Sequence, residues 1–185
     1  MVPACRLQSA QTLVWLTHLI PALVAAGCVD FFPYPDQSAF APLETLAESG
    51  LAMARIYAAP LPLTEGIATH LWFVVKPSDS NRFERWEVWF QAAEPYGFVR
   101  KDLFPPEQDL GATGPRVLAE LLGAEAESVV EFIRNRSPDY PCKDTYVLLP
   151  GPNSSTYLQW VLDNTGWQAD LPPTAVGANA PLNCP

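Results

Sequence analysis

A chain of 185 residues is long enough for one ordinary domain, and 49% apolar against 17% charged residues suffices to bury a core. Eleven Lys plus Arg against twenty Asp plus Glu leave a net charge of -9, which argues against a broad phosphate-binding surface and so against nucleic-acid binding. Twenty prolines favour short elements with stiff connections over a helix bundle, and only His18 and His70 can supply an imidazole.

The chain begins with a targeting pattern. From Leu13 to Gly27 it is apolar, for about fifteen residues, short of the roughly 20 that span a bilayer. Arg6 precedes this run and Ala25, Ala26 and Gly27 close it, which is the layout of a signal peptide over residues 1–27. Cys28 follows directly, so Val-Ala-Ala-Gly-Cys resembles a bacterial lipobox. That resemblance implies a lipidated Cys28 and a protein anchored in the cell envelope on the periplasmic side. The competing reading is a buried N-terminal helix in a cytoplasmic protein. Removal of the segment takes His18 and Cys5 with it. Cys142 and Cys184 then remain to form one disulfide in an oxidising compartment, or to stay as two thiols. There is no Cys-x-x-Cys or His-x-x-x-His pair, so neither a metal nor another cofactor is expected.

Residues 28–50 read as a Pro- and aromatic-rich tether followed by a short helix, Ser38 to Glu48, ending at Ser49-Gly50. Residues 51–185 read as a single α+β domain, a small antiparallel sheet packed with helices. Leu51 to Ala58 is the first predicted strand. Ile67 to Lys76, rich in β-branched and aromatic residues, is the second, and Arg85 to Gln91 the third. The turn at residues 78–81 makes the last two a hairpin. Phe98 to Leu103 adds a fourth strand. Thr113 and Pro115 then suit the start of a helix. Val117, Leu118, Leu121 and Leu122, followed by Ala126, Val129, Val130 and Ile133, predict one amphipathic helix with a break at Gly123. Tyr146 to Leu149 predicts a short strand, Ser155 to Asp163 a helix, and residues 167–185 a tail wrapping the surface.

Two places can carry chemistry. Pro150 to Trp160 puts Asn153 and Ser154 where a tight turn opens a helix, facing unsatisfied N–H groups and the positive end of the helix dipole. Such a position activates a nucleophile or stabilises an oxyanion. Asn and Ser are also preferred N-caps, so a structural cap explains the same cluster. His70 shares a strand face with Trp72 and Val74, and Glu87 on the adjoining strand is able to orient its imidazole if the register allows. Equally, His70 serves as a core histidine while Glu87 pairs with Arg85 or Arg82 at the surface.

A strand carrying His-Leu-Trp-Phe, then a strand with an acidic residue, then Asn plus a nucleophile at a helix start resembles the chain order of circularly permuted papain-like folds. Lecithin retinol acyltransferase and NlpC-type proteins are examples. The resemblance implies His70 as base, Ser154 as nucleophile, Asn153 as the residue before it and Glu87 as a third member. Position 154 holds Ser where those proteins hold Cys, and serine needs a better-built base and oxyanion hole. Over most of residues 50–180, the segments HLWFVVK, RWEVW, GAEAE, PGPNSST and LPPTAVG resemble the bacterial domain-of-unknown-function family 3750. Its Pro-Gly-Pro-Asn-Ser-Asn-Thr signature precedes an aromatic; here Ser155 replaces the second Asn and Tyr157 is the aromatic. The favoured expectation is an envelope lipoprotein whose papain-like cleft binds a cell-wall, peptide or lipid ligand without catalysis, with Asn153, Trp72 and Tyr157 as candidate contacts. A serine hydrolase or acyltransferase using Ser154 and His70 is the second, and a cytoplasmic domain of structural role the third.

Overall fold

The computed structural model describes residues 32–185 except 63, 65, 109, 110, 112, 113, 183 and 185. The expected signal segment, Cys28 and Thr113 lie outside the described residues. Five strands form one antiparallel sheet: β1 (Met53–Pro60), β2 (Thr69–Lys76), β3 (Glu84–Ala93), β4 (Gly97–Lys101) and β5 (Arg116–Leu122), in the order β4-β3-β2-β1-β5. Three helices accompany it: α1 (Leu43–Ala47), α2 (Ala124–Arg136) and α3 (Ser154–Thr165).

Both faces of the sheet are covered, so β2 is buried along its whole length. On one face Ile56, Leu71, Phe73, Trp86 and Val88 meet Val129, Val130 and Ile133 of α2 and Tyr157, Leu158 and Val161 of α3. On the other, Met53, Tyr57, Trp72 and Val74 meet Leu43 and Leu46 of α1. Each such large apolar side chain contributes about 1.5–3 kcal/mol on burial, which is why the strand pattern in this stretch is so strong. Buried Arg55 crosses from β1 to Glu120 of β5 and donates to the Ala41 carbonyl, tying the N-terminal arm to the second face. Gln37 closes the exposed edge of β5: its amide donates to the Val117 carbonyl at 3.1 Å and accepts from the Val117 N–H at 2.7 Å. This substitutes for a missing neighbouring strand.

Three expectations are corrected. Residues 116–122 are a strand, not the first half of a helix. Arg-Val-Leu-Ala-Glu-Leu-Leu has good helix formers, but pairing along the free side of β1 overrides local propensity. Gly123, at φ 61°, is the hinge between strand and helix rather than a break within a helix. The 3-4 spacing of Ala126, Val129, Val130 and Ile133 does belong to a helix, α2. Tyr146 to Leu149 forms no strand; the stretch is irregular, with cis peptides at Leu149–Pro150 and Gly151–Pro152. The helix expected over 38–48 is a 3₁₀ turn, Gln37–Ala39, and the separate α1, divided by Pro42.

The C-terminal tail runs back over the domain. Trp167 packs on Phe73, and Cys184 is joined to Cys142 by a disulfide with Cα atoms 5.2 Å apart.

Candidate functional site

The site forms where the sheet splits. β2 and β3 are paired from Phe73–Trp86 to Val75–Glu84, and beyond Phe73 the ladder ends. The N–H groups that β2 presents on that side then need other acceptors. Leu71 N–H meets Ser154 Oγ at 3.5 Å, and Thr69 N–H meets the Thr174 carbonyl at 2.9 Å. The start of α3 and the tail thus fill the gap that β3 leaves. Beside them opens a cavity of about 560 Å³, onto which His70 and Ser154 both face.

Ser154 owes its place to Asn153. The Asn153 amide oxygen accepts from the Ser155 N–H at 2.9 Å and the Thr156 N–H at 3.3 Å, while Thr156 Oγ1 accepts from the Asn153 N–H at 3.2 Å. This reciprocal cap fixes the first turn of α3. Asn153 Nδ2 donates to the Leu148 and Val176 carbonyls, so the amide is committed to holding the loop and the tail. Gly177 comes so close to Asn153 that a Cβ there would lie 2.8 Å from Nδ2. The N–H of Ser154 itself, at the first helical position, has no partner among the described residues.

His70 is held from behind. Its Nε2 lies 2.6 Å from Glu87 Oε2, and the same oxygen accepts from Arg85 Nη2 at 2.8 Å. All three side chains are almost wholly buried. Burial pushes the Glu87 carboxyl up, but hydrogen bonds and charge from His70 and Arg85 outweigh it and hold the group below its ordinary value. An ionised Glu87 accepts only, so His70 Nε2 carries a proton, and Nδ1 is the nitrogen left to accept one in the neutral imidazole. Nδ1 has no hydrogen-bond partner among the described residues. Arg85 is fixed in turn by donating from Nη1 to the Pro105 and Gln108 carbonyls and by lying 4.2 Å from the Trp72 ring. Trp72 stacks on His70 and Trp89 meets it edge-on.

Sequence reasoning selected His70, Glu87, Ser154 and Asn153, and the structure brings these four to one place. The Glu87–Arg85 pair considered for the surface is an interior one. Trp72 is fully buried, with Nε1 donating to the Pro106 carbonyl, and supports the imidazole and Arg85 from beneath without lining the cavity. Tyr157 is also in the core, its hydroxyl 2.6 Å from Ser137 Oγ. Arg85 went unrecognised as part of the site, although its position two residues before Glu87 on one strand face was a usable signal. Leu148 and Leu149 gave none, because irregular backbone brings them to the cavity. Among the described residues, no cluster of three or more His, Cys, Asp or Glu side chains is arranged to hold a metal ion, and no helix is long and apolar enough to cross a membrane.

The fold and site define an α+β domain with a five-stranded antiparallel sheet and a serine at a helix start beside a buried His–Glu–Arg chain. Residues 51–179 match the family described as Protein of unknown function (DUF3750), and the chain belongs to that family. Comparison with curated proteins finds no match, and comparison with solved structures finds none.

Proposed function

We propose that this domain is a serine-dependent acyl hydrolase or acyltransferase of permuted papain-like architecture. One observation carries the reading: Ser154 and His70 line the same cavity, while the Nε2 side of His70 is engaged by a buried, ionised Glu87. In the proposed step Ser154 Oγ attacks an acyl carbonyl and its proton passes to His70 Nδ1. The Ser154 N–H, at the positive end of the α3 dipole, stabilises the oxyanion. The leaving group departs with the proton, and water or an acceptor alcohol repeats the sequence on the acyl-serine. Leu71 N–H orients Oγ from the other side and leaves the hydroxyl proton free for His70.

The test is labelling with a serine-directed fluorophosphonate. Stoichiometric modification of Ser154, abolished in Ser154→Ala and strongly reduced in His70→Ala, is the expected result. No labelling of a folded wild-type protein refutes the reading.

A second reading, a non-catalytic binding cleft, is favoured by one feature. Ser154 Oγ makes its hydrogen bond to Leu71 N–H, and none within 3.5 Å to the imidazole. Hydrogen bonds of this kind commonly tighten only with substrate present, so the feature does not remove the catalytic reading.

We further propose an envelope location on the periplasmic side, with the chain anchored through a lipidated Cys28 after removal of residues 1–27. The lipobox-like Val-Ala-Ala-Gly-Cys supports it. Mass spectrometry of the protein from its host should find a lipid-modified N-terminal Cys28; an intact Met1 start refutes it.

A further inference from the structure

We propose that the group carried by Ser154 is a hydrocarbon acyl chain, delivered as an uncharged ester and seated in the cavity beside His70; this rests on the acyl-transfer reading above. The walls are the first argument. Leu61, Ala68, Val88, Trp89, Leu148 and Val176 all line it, and no Asp, Glu, Lys or Arg does so among the described residues. Three of its polar neighbours are already engaged. Thr64 Oγ1 donates to the Leu61 carbonyl, Thr69 Oγ1 is 2.6 Å from Thr174 Oγ1, and Asn153 is committed to the α3 cap and the tail. Tyr146, whose phenol burial keeps neutral, adds no charge. A sugar or a charged peptide side chain would therefore lose water and, away from Ser154 and His70, find only the Tyr146 hydroxyl and Trp89 Nε1 as partners, which is costly.

A peptide backbone fares no better. Strand addition requires free N–H and C=O groups along an edge. At the gap between β2 and β3 the Leu71 and Thr69 N–H groups are already taken by Ser154 and Thr174. A hydrocarbon needs only volume and apolar contact, and about 560 Å³ is within the range that holds a small-molecule ligand. The mouth agrees with this. Phe90, Leu148 and Leu149 line the cavity and are 53%, 45% and 47% exposed, so large apolar surface is concentrated at its entrance. With no Lys or Arg among the described lining residues, a free carboxylate has no permanent cation to pair with. The site thus favours ester over the fatty acid that hydrolysis would release.

The experiment uses p-nitrophenyl acetate, butyrate and octanoate with the full chain and with Ser154→Ala. Release dependent on Ser154 is expected, with kcat/KM rising about fourfold for each added methylene until the cavity is filled. Leu148→Asp, at an exposed position, should reduce octanoate turnover at least about tenfold more than acetate turnover. Acetate turnover that depends on Ser154 with no gain from chain length overturns the acyl-chain inference and leaves the serine reading standing. Absence of both turnover and fluorophosphonate labelling refutes the serine reading instead. The cavity is then read by binding: the uncharged fluorophore N-phenyl-1-naphthylamine should bind and be displaced by 1-decanol in preference to decanoate. Lack of displacement by the alcohol overturns the inference.

Discussion

Glu87→Gln isolates the role of the buried carboxylate with almost no change of shape. Glu87 Oε2 accepts from both His70 Nε2, at 2.6 Å, and Arg85 Nη2, at 2.8 Å. The amide oxygen has two lone pairs and can keep both bonds, with its NH₂ in the place of Oε1, which has no hydrogen-bond partner among the described residues; what it lacks is the charge. Arg85 then loses its ionic partner in the interior, and the imidazolium formed when Nδ1 accepts the Ser154 proton loses its facing carboxylate. Breaking a buried pair costs about 3–5 kcal/mol. Arg85 retains two backbone carbonyls and the Trp72 ring, which places the expected loss near the lower end, about 3 kcal/mol. At this chain length that corresponds to a melting temperature lower by about 6–12 °C. Loss of the carboxylate behind the base should slow fluorophosphonate labelling of Ser154 by about 10²–10⁴, measured well below the transition with circular dichroism confirming the fold. A folded Glu87→Gln protein that labels at the wild-type rate refutes the orienting role, and an unchanged melting temperature refutes the energetic argument for the pair.

Three further outcomes follow from the same geometry. Gly177 has φ 96°, and a Cβ there would meet the Pro150 carbonyl at 2.5 Å and Asn153 Oδ1 at 2.9 Å, so Gly177→Ala should destabilise by about 2–4 kcal/mol and disturb the α3 start, read by thermal unfolding and by slower Ser154 labelling. The Cys142–Cys184 bridge spans a sequence separation of 42, for which loop-closure entropy gives about 4 kcal/mol; a Cys142→Ser, Cys184→Ser double variant should therefore melt about 8–16 °C lower, and an equal melting temperature contradicts the bridge's contribution. The depressed Glu87 carboxyl contributes stability that is complete above its unfolded-state value of about 4.5 and is lost as pH falls through its lower folded value. Acid unfolding should accordingly be less steep in Glu87→Gln, and identical acid profiles would argue against an ionised Glu87.

Much of the domain was legible because its strands are locally self-consistent. Residues 69–76 are β-branched and aromatic and are buried on both faces, so pattern and environment agree. The His70, Trp72, Val74 alternation placed the imidazole on the Glu87 face, and the two side chains meet within hydrogen-bond reach just past the end of the β2–β3 ladder. Residues 116–122 were not legible, since Leu, Ala and Glu serve a helix equally well and only the free edge of β1 made them a strand. The same limit applies to the site. Asn153 signalled a cap, yet that its amide also holds Leu148 and Val176 depends on a tail more than twenty residues away.

By itself the sequence determined the α+β class, the strand carrying His70, the helix start at Asn153-Ser154 and the single candidate imidazole outside the leader-like segment. Each depends on local pattern, on a spacing of two along a strand or on the chemistry of a cap. Tertiary structure alone decided that β3 leaves β2 after Phe73, that Ser154 and Thr174 fill the gap, and that Arg85 stands behind Glu87 in the interior. Those outcomes arise from which backbone groups lose their ladder partners when the sheet splits, and from charges that are stable in the interior only when paired. Neither condition is written in any short stretch of the chain.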